Sequence, residues 1–184
     1  MPKLPGAPKE VHVQVTMNSE KPGDFTIEPV PLGALPTDKK GDLIFINDGN
    51  SGFFVYFDLI DKTGLKYAFP PDNLKHAAIW SEFGATDCPA EGKTEVFTAK
   101  LVTNNAMTLK VRNENVSPGL GPFRYMFRVT KDGGKTYHPL DPGGSNQNGP
   151  ITVERSSIVT FVIGLAVGAI AVLGTQTLLR GYLA

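Results

Sequence analysis

The sequence predicts a mainly β fold, an antiparallel β-sandwich, followed by one C-terminal transmembrane helix. Three observations carry that expectation. Residues 11–17 alternate strictly between apolar and polar side chains, the period of a half-buried strand. Short apolar runs then recur along the chain, each bounded by Gly, Pro, Asn or Asp, which fits antiparallel strands better than any α/β arrangement. Finally, residues 158–179 run for 22 positions without a charge. A chain of 184 residues holds one well-packed domain and a small extra element, but hardly two full domains.

Residues 1–10, MPKLPGAPKE, carry three prolines and a glycine and read as an extended, Pro-rich arm with a solvated backbone. They contain no apolar h-region and so no visible secretory signal. The β-domain is expected over residues 11–154. Its first strand places Val11, Val13, Val15 and Met17 on one face. FTIEPVPLGALP follows, with Phe25 and Ile27 on one side; Pro29 and Pro31 cannot donate ladder hydrogen bonds, so it reads as an edge strand entering a loop. LIFIN (43–47) is apolar on both faces, the mark of a central strand. The turn-forming DGNSG then leads to FFVYFDLI (53–60), and the two runs are expected to pair as a hairpin. Further strands are expected at 65–69, 95–102, 107–113, 123–130 and 151–154, with KDGGK after Thr130 as a glycine turn.

Two segments break this rhythm. In residues 72–93 Leu74, Ala77, Ala78 and Trp80 could form a short helix with a long loop after it, and connections of that length are often functional or held by a partner. Trp80, the single tryptophan, and Phe83 lie there. They either close one open end of the sandwich or anchor a protein interface, where aromatics are favoured. Residues 143–150 form a polar Gly- and Asn-rich stretch, read as a loop before a last strand or as a tether. The favoured reading runs the strand at 151–154 almost straight into the helix.

Charge and cysteine content exclude several classes. Setting aside Arg155 and Arg180, the 18 basic residues fall to 16 against 18 acidic, a net charge of −2 over residues 1–154. Scattered basic residues without a cluster do not suit nucleic acid, which needs a focused positive surface, nor a polybasic lipid patch. Cys88 is the only cysteine, so the chain cannot form an intramolecular disulfide or a thiolate cage.

The apolar run at 158–179 extends about 33 Å as a helix, enough for a hydrocarbon core of about 30 Å. Residues 155–184 are thus expected to be a membrane helix and a short tail. Thr160, Gly164, Gly168, Ala171 and Thr175 fall on one helical face. Such small residues allow close backbone approach between membrane helices, so this stripe is the expected docking face. Its occupant is left open: another copy, a different membrane-protein subunit, or a lipid or pigment lying along the helix. One arginine on each side of the span leaves the charge rule undecided. The missing signal favours a cytoplasmic N-terminal domain and a C-terminus on the opposite side of the bilayer.

A catalytic constellation is not found. Ser156 and Ser157 have no GxSxG elbow and are expected to cap the helix, and SPGLGPF lacks the lysine of a phosphate loop. His12, His76 and His138 are far apart, without metal-ligand spacing. KKGDLIFINDGNSGF (39–53) resembles the strand and turn of cupredoxins, in which a Gly-Asp pair opens a central strand. The resemblance implies a sandwich of that kind; an immunoglobulin-like sandwich is the other expectation for the fold. A copper site would also need Cys, His and an axial Met near the final hairpin. Cys88 is followed by Pro89, Ala90, Glu91 and Gly92, so the resemblance implies a copper-free member; separately, no metal and no directly bound cofactor is expected. The functional expectation is a non-enzymatic, single-pass accessory subunit of a membrane complex, bacterial and energy-transducing, photosynthetic or respiratory. The alternative is a free tail-anchored binding module that recognises a soluble partner through residues 72–93.

Overall fold

A computed structural model describes residues 6–148, apart from residues 22, 39–41, 48, 50, 104 and 116–120. The expected strand at 151–154, the span at 158–179 and its docking face (Thr160, Gly164, Gly168, Ala171, Thr175) lie outside the described residues. Among the described residues no helix is long and apolar enough to cross a membrane.

The protein is mainly β, with mixed sheets. Among the described residues its strands are β1 (Lys9–Met17), β2 (Phe25–Val30), β3 (Leu43–Asn47), β4 (Phe53–Asp61), β5 (Ile79–Phe83), β6 (Phe97–Val102), β7 (Thr108–Asn113), β8 (Gly121–Val129), β9 (His138–Leu140) and β10 (Gly143–Asn148). One sheet has the order β2-β1-β4-β7-β6; the other has β3-β10-β8-β5, with β9 also paired to β8.

The expectation of purely antiparallel sheets is corrected at two places. β1 pairs with β4 in parallel, Lys9 opposite Phe53 through Met17 opposite Asp61. β3 pairs with β10 in parallel, Leu43 opposite Gly144 through Asn47 opposite Asn148. Parallel neighbours need long crossovers, and here the intervening chain, which passes through strands of both sheets, supplies them. The predicted hairpin of residues 43–47 with 53–60 is corrected for the same reason: β3 and β4 sit in different sheets. Residues 65–69 form no strand, only a bridge from Ala68 to Thr130.

Alternation along each strand supplies the core. Val11, Val13, Val15, Val55, Phe57, Leu109 and Val111 are buried on one sheet; Phe45, Ile79, Phe123, Tyr125 and Phe127 are buried on the other. Ring pairs cross between the sheets: Phe45 to Phe53 at 5.3 Å, Phe57 to Phe127 at 4.7 Å and Phe97 to Tyr125 at 5.2 Å between centroids. Edge-to-face contacts of this kind add about 0.5–1.5 kcal/mol beyond area burial.

At one end the sheets are also joined by amides. Asn113 Nδ2 donates to Asn146 Oδ1 at 2.8 Å, and Asn115 Nδ2 donates to the Phe45 carbonyl at 3.0 Å. All three asparagines are buried. The segment before β1 comes to this same end, where Gly6 N–H donates to Gly49 O and Ser51 N–H to Gly6 O, both at 2.9 Å.

Candidate functional site

Residues 72–93 begin with a 3-10 helix, Asp72–Ala77, and pass directly into β5. The expected helix through Trp80 is therefore corrected: Trp80 is the second residue of a strand, opposite Met126 of β8. Two β-rich facts favour this. Ile79, Trp80 and Phe83 suit a pleated surface, and β8 offers a complete partner. Asp72, the first residue of the helix, ties it to β6, its Oδ1 accepting the Val102 N–H at 2.9 Å. That backbone hydrogen bond holds the Asp72 carboxyl below the usual range.

The loop beyond β5 is fastened by its own chain. Ala90 N–H donates to Glu82 Oε2 at 2.9 Å, Phe83 N–H to Glu95 Oε2 at 3.1 Å, and Ser81 N–H to Lys93 O at 2.8 Å. Ser81 Oγ, fully buried, accepts the N–H groups of Val96 and Phe97. The two aromatics expected to act together are separated by strand alternation. Phe83 turns inward and meets Phe123 at 6.2 Å. Trp80 turns outward, half-buried, where the Arg128 guanidinium lies 4.0 Å from its ring centroid and 3.9 Å from that of Tyr137. Cation–π contacts of this type contribute about 0.5–2 kcal/mol.

A cleft of about 420 Å³ opens between β2 and the β8–β10 pair, lined in part by Phe25, Ile27, Glu28, Asp42, Arg124, Tyr125, Asp141 and Pro142. Its shape depends on glycine. A Cβ at Gly143 would meet the Asp42 carboxylate at 2.5–2.8 Å, and one at Gly144 would meet the Phe123 ring at 2.5 Å. Two carboxylates therefore flank the start of β10: Asp42 immediately before β3, and Asp141 two residues before β10. Tyr125 comes from the inward face of β8 with its side chain 0 % exposed, and its hydroxyl has no hydrogen-bond partner among the described residues. Burial, then the charge of Asp42, pushes that phenol well above its ordinary pKa. Asp141 Oδ2 accepts the Cys88 thiol, while its buried Oδ1 has no partner among the described residues. The hydrogen bond to Asp141 raises the Cys88 pKa, with burial adding to it, so the thiol stays protonated at neutral pH and is a poor nucleophile.

A second hollow of about 460 Å³ shares Asp42 and Arg124 with the first and is lined also by Ile44, Phe123, Gly144 and Ser145. Among the described residues no group of three His, Cys, Asp or Glu is placed to hold a metal ion. His12 Nδ1 lies 3.0 Å from Asp58 Oδ2, and Thr108 Oγ1 donates to Asp58 Oδ1 at 2.6 Å. The hydroxyl thus gives its proton to the carboxylate rather than to the imidazole, which is not a nucleophile–base pairing.

Sequence reasoning missed the cleft. The Gly-Asp pair opening β3 and the tyrosine among inward phenylalanines in FRYMFRV were its visible traces, but nothing local says that Asp42, Tyr125 and Asp141 line one cleft. No protein-family model matches the chain, and no curated protein matches it either.

Proposed function

We propose that the chain is a non-catalytic, single-pass accessory subunit of a larger membrane assembly, of the energy-transducing photosynthetic or respiratory kind. The observation that carries this reading is the 22-residue uncharged run at 158–179 with its stripe of small residues, following a β-domain that has its own core. The helix docks through Thr160, Gly164, Gly168, Ala171 and Thr175 against a neighbouring subunit, lipid or pigment. The β-domain stays on the cytoplasmic face and the C-terminus reaches the other side.

The finer fold belongs to the same proposal: a β-sandwich of cupredoxin-like type without copper. Its support is the pair of sheets that share one aromatic core, with the Gly-Asp run of residues 39–53 leading into β3, together with the donor set beside the final strands. Between β8 and β10 that segment carries His138 but neither Cys nor Met, so the soft thiolate and axial thioether of a blue-copper site have no source there.

Purification in mild detergent followed by mass spectrometry tests the function. Stoichiometric larger subunits are the expected result, and Gly164→Leu with Gly168→Leu should release them. A clean monomer would overturn the accessory role and favour a tail-anchored module instead, one that recognises a soluble partner through residues 72–93, where Trp80 turns outward. Orientation has its own test: protease added to sealed right-side-out vesicles should leave the β-domain intact.

A further inference from the structure

We propose that the cleft between β2 and the β8–β10 pair binds a primary alkylammonium group, with Asp42, Asp141 and the Tyr125 hydroxyl around the charge and Phe25 and Ile27 along the alkyl chain.

Three features lead to this ligand. The first is the sign of the charge: Glu28, Asp42 and Asp141 set three carboxylates against the single guanidinium of Arg124. An anion would be repelled, and a divalent metal lacks a three-ligand group among the described residues. The second is unsatisfied polarity on two of the residues that line the cleft. The Tyr125 hydroxyl and Asp141 Oδ1 are both out of solvent and without partners among the described residues. Native proteins rarely leave such groups unmade, because each costs about 1–3 kcal/mol. An ammonium carries three donors and no acceptor, whereas carboxylates only accept and a phenol can accept. Two carboxylates and one phenol therefore match it in number and direction of hydrogen bonds. The third feature is the wall, where Phe25, Ile27 and Pro142 give the cleft an apolar side. A bare ammonium ion would leave that side unused; a short alkyl chain covers it at about 25 cal/mol per Å².

This inference stands apart from the membrane role and uses none of the helix residues. The full chain, 15N-labelled in mild-detergent micelles, is titrated with butylammonium chloride while the amides of Gly143 and Tyr125 are followed by NMR. Saturable shifts at both amides are expected with butylammonium but not with potassium chloride or butanol at equal concentration. Asp42→Asn should weaken binding about ten-fold, as expected for a lost charge-assisted hydrogen bond. Tyr125→Phe should weaken it several-fold. Circular dichroism checks that each variant is folded. Should Asp42→Asn unfold, Glu28→Gln at its exposed edge position should still lower the affinity about two-fold, through the long-range charge alone. Nα-acetyl-lysine methylamide forms the second arm: tighter binding than butylammonium identifies a lysine side chain of another protein as the source, and weaker binding identifies a free amine. Equal shifts with potassium chloride or butanol, or unchanged affinity in the folded variants, would overturn the proposal.

Discussion

Gly52 and Gly33 make a controlled pair for asking what one methyl group does. Both have positive φ, +97° and +84°, but a Cβ at Gly52 would stand 2.4 Å from the Asn113 carbonyl oxygen, while one at Gly33 meets nothing within 4 Å. Gly33→Ala should therefore carry only the left-handed backbone strain, about 1–2 kcal/mol. Gly52→Ala must also displace backbone and should lose at least about 3 kcal/mol in urea unfolding, beyond the usual range for a point change. Equal losses would mean that the turn at residue 52 yields freely. Asp132 gives a test of acid sensitivity. Its carboxylate accepts the Thr136 hydroxyl and N–H, the Thr130 hydroxyl and the Lys135 N–H, and these bonds hold its pKa far below the ordinary value. Because the folded pKa is depressed, this contribution is complete above the unfolded value of about 4 and is lost as pH falls below it. Melting temperature should fall between pH 5 and pH 2.5, and fall less in Asp132→Asn. Glu20, Asp72 and Glu95, also lowered, keep the variant from becoming flat. An identical fall in both proteins would contradict the assignment.

Elements were legible in the sequence to the degree that their signal was local. β1, β4, β7 and β8 announce themselves by alternation, since each has one face in the core. Partners were not legible, because period two fixes which face is buried and says nothing about which strand lies alongside. β10 shows the harder case. Gly143–Asn148 was expected to be loop or tether, yet it is an inner strand with β3 on one side and β8 on the other. Its glycines exist to admit the Asp42 carboxylate and the Phe123 ring, and Asn146 is buried against Asn113. A strand whose sequence is written by its neighbours carries no hydrophobic pattern of its own. Ser145→Pro should consequently do more than its polar setting suggests. It removes an N–H from a strand hydrogen-bonded on both sides, and each group left unmade costs roughly 1–3 kcal/mol. A melting temperature within experimental error of the parent would show that β10 is dispensable.

For the molecule as a whole, the aromatic core and the outward Trp80 fall on opposite sides of the β3-β10-β8-β5 sheet. Phe97 meets Phe45, Phe57, Phe123 and Tyr125 between the layers, so Phe97→Ala should lose about 3–5 kcal/mol. Trp80, outward under Arg128, should lose only about 1 kcal/mol on replacement by Ala. Phe83→Ala belongs with the core residues, which is why the two aromatics of the 72–93 segment should be tested singly. Thermal melts of the three variants check the order; Trp80 proving as damaging as Phe97 would place it in the core.

β10 has a consequence under load. Its last residue, Asn148, pairs beside Asn47, at the end of the fold where Asn113 meets Asn146 and where β1 begins beside Phe53. Tension applied to the chain beyond Asn148 and directed along the strands, against an anchor at the far end of the fold, pulls β10 along its own axis, shearing its rungs to β3 and β8 together instead of unzipping them one by one. Held by such a strand, the domain should yield at high force and all at once when stretched through the chain that follows it.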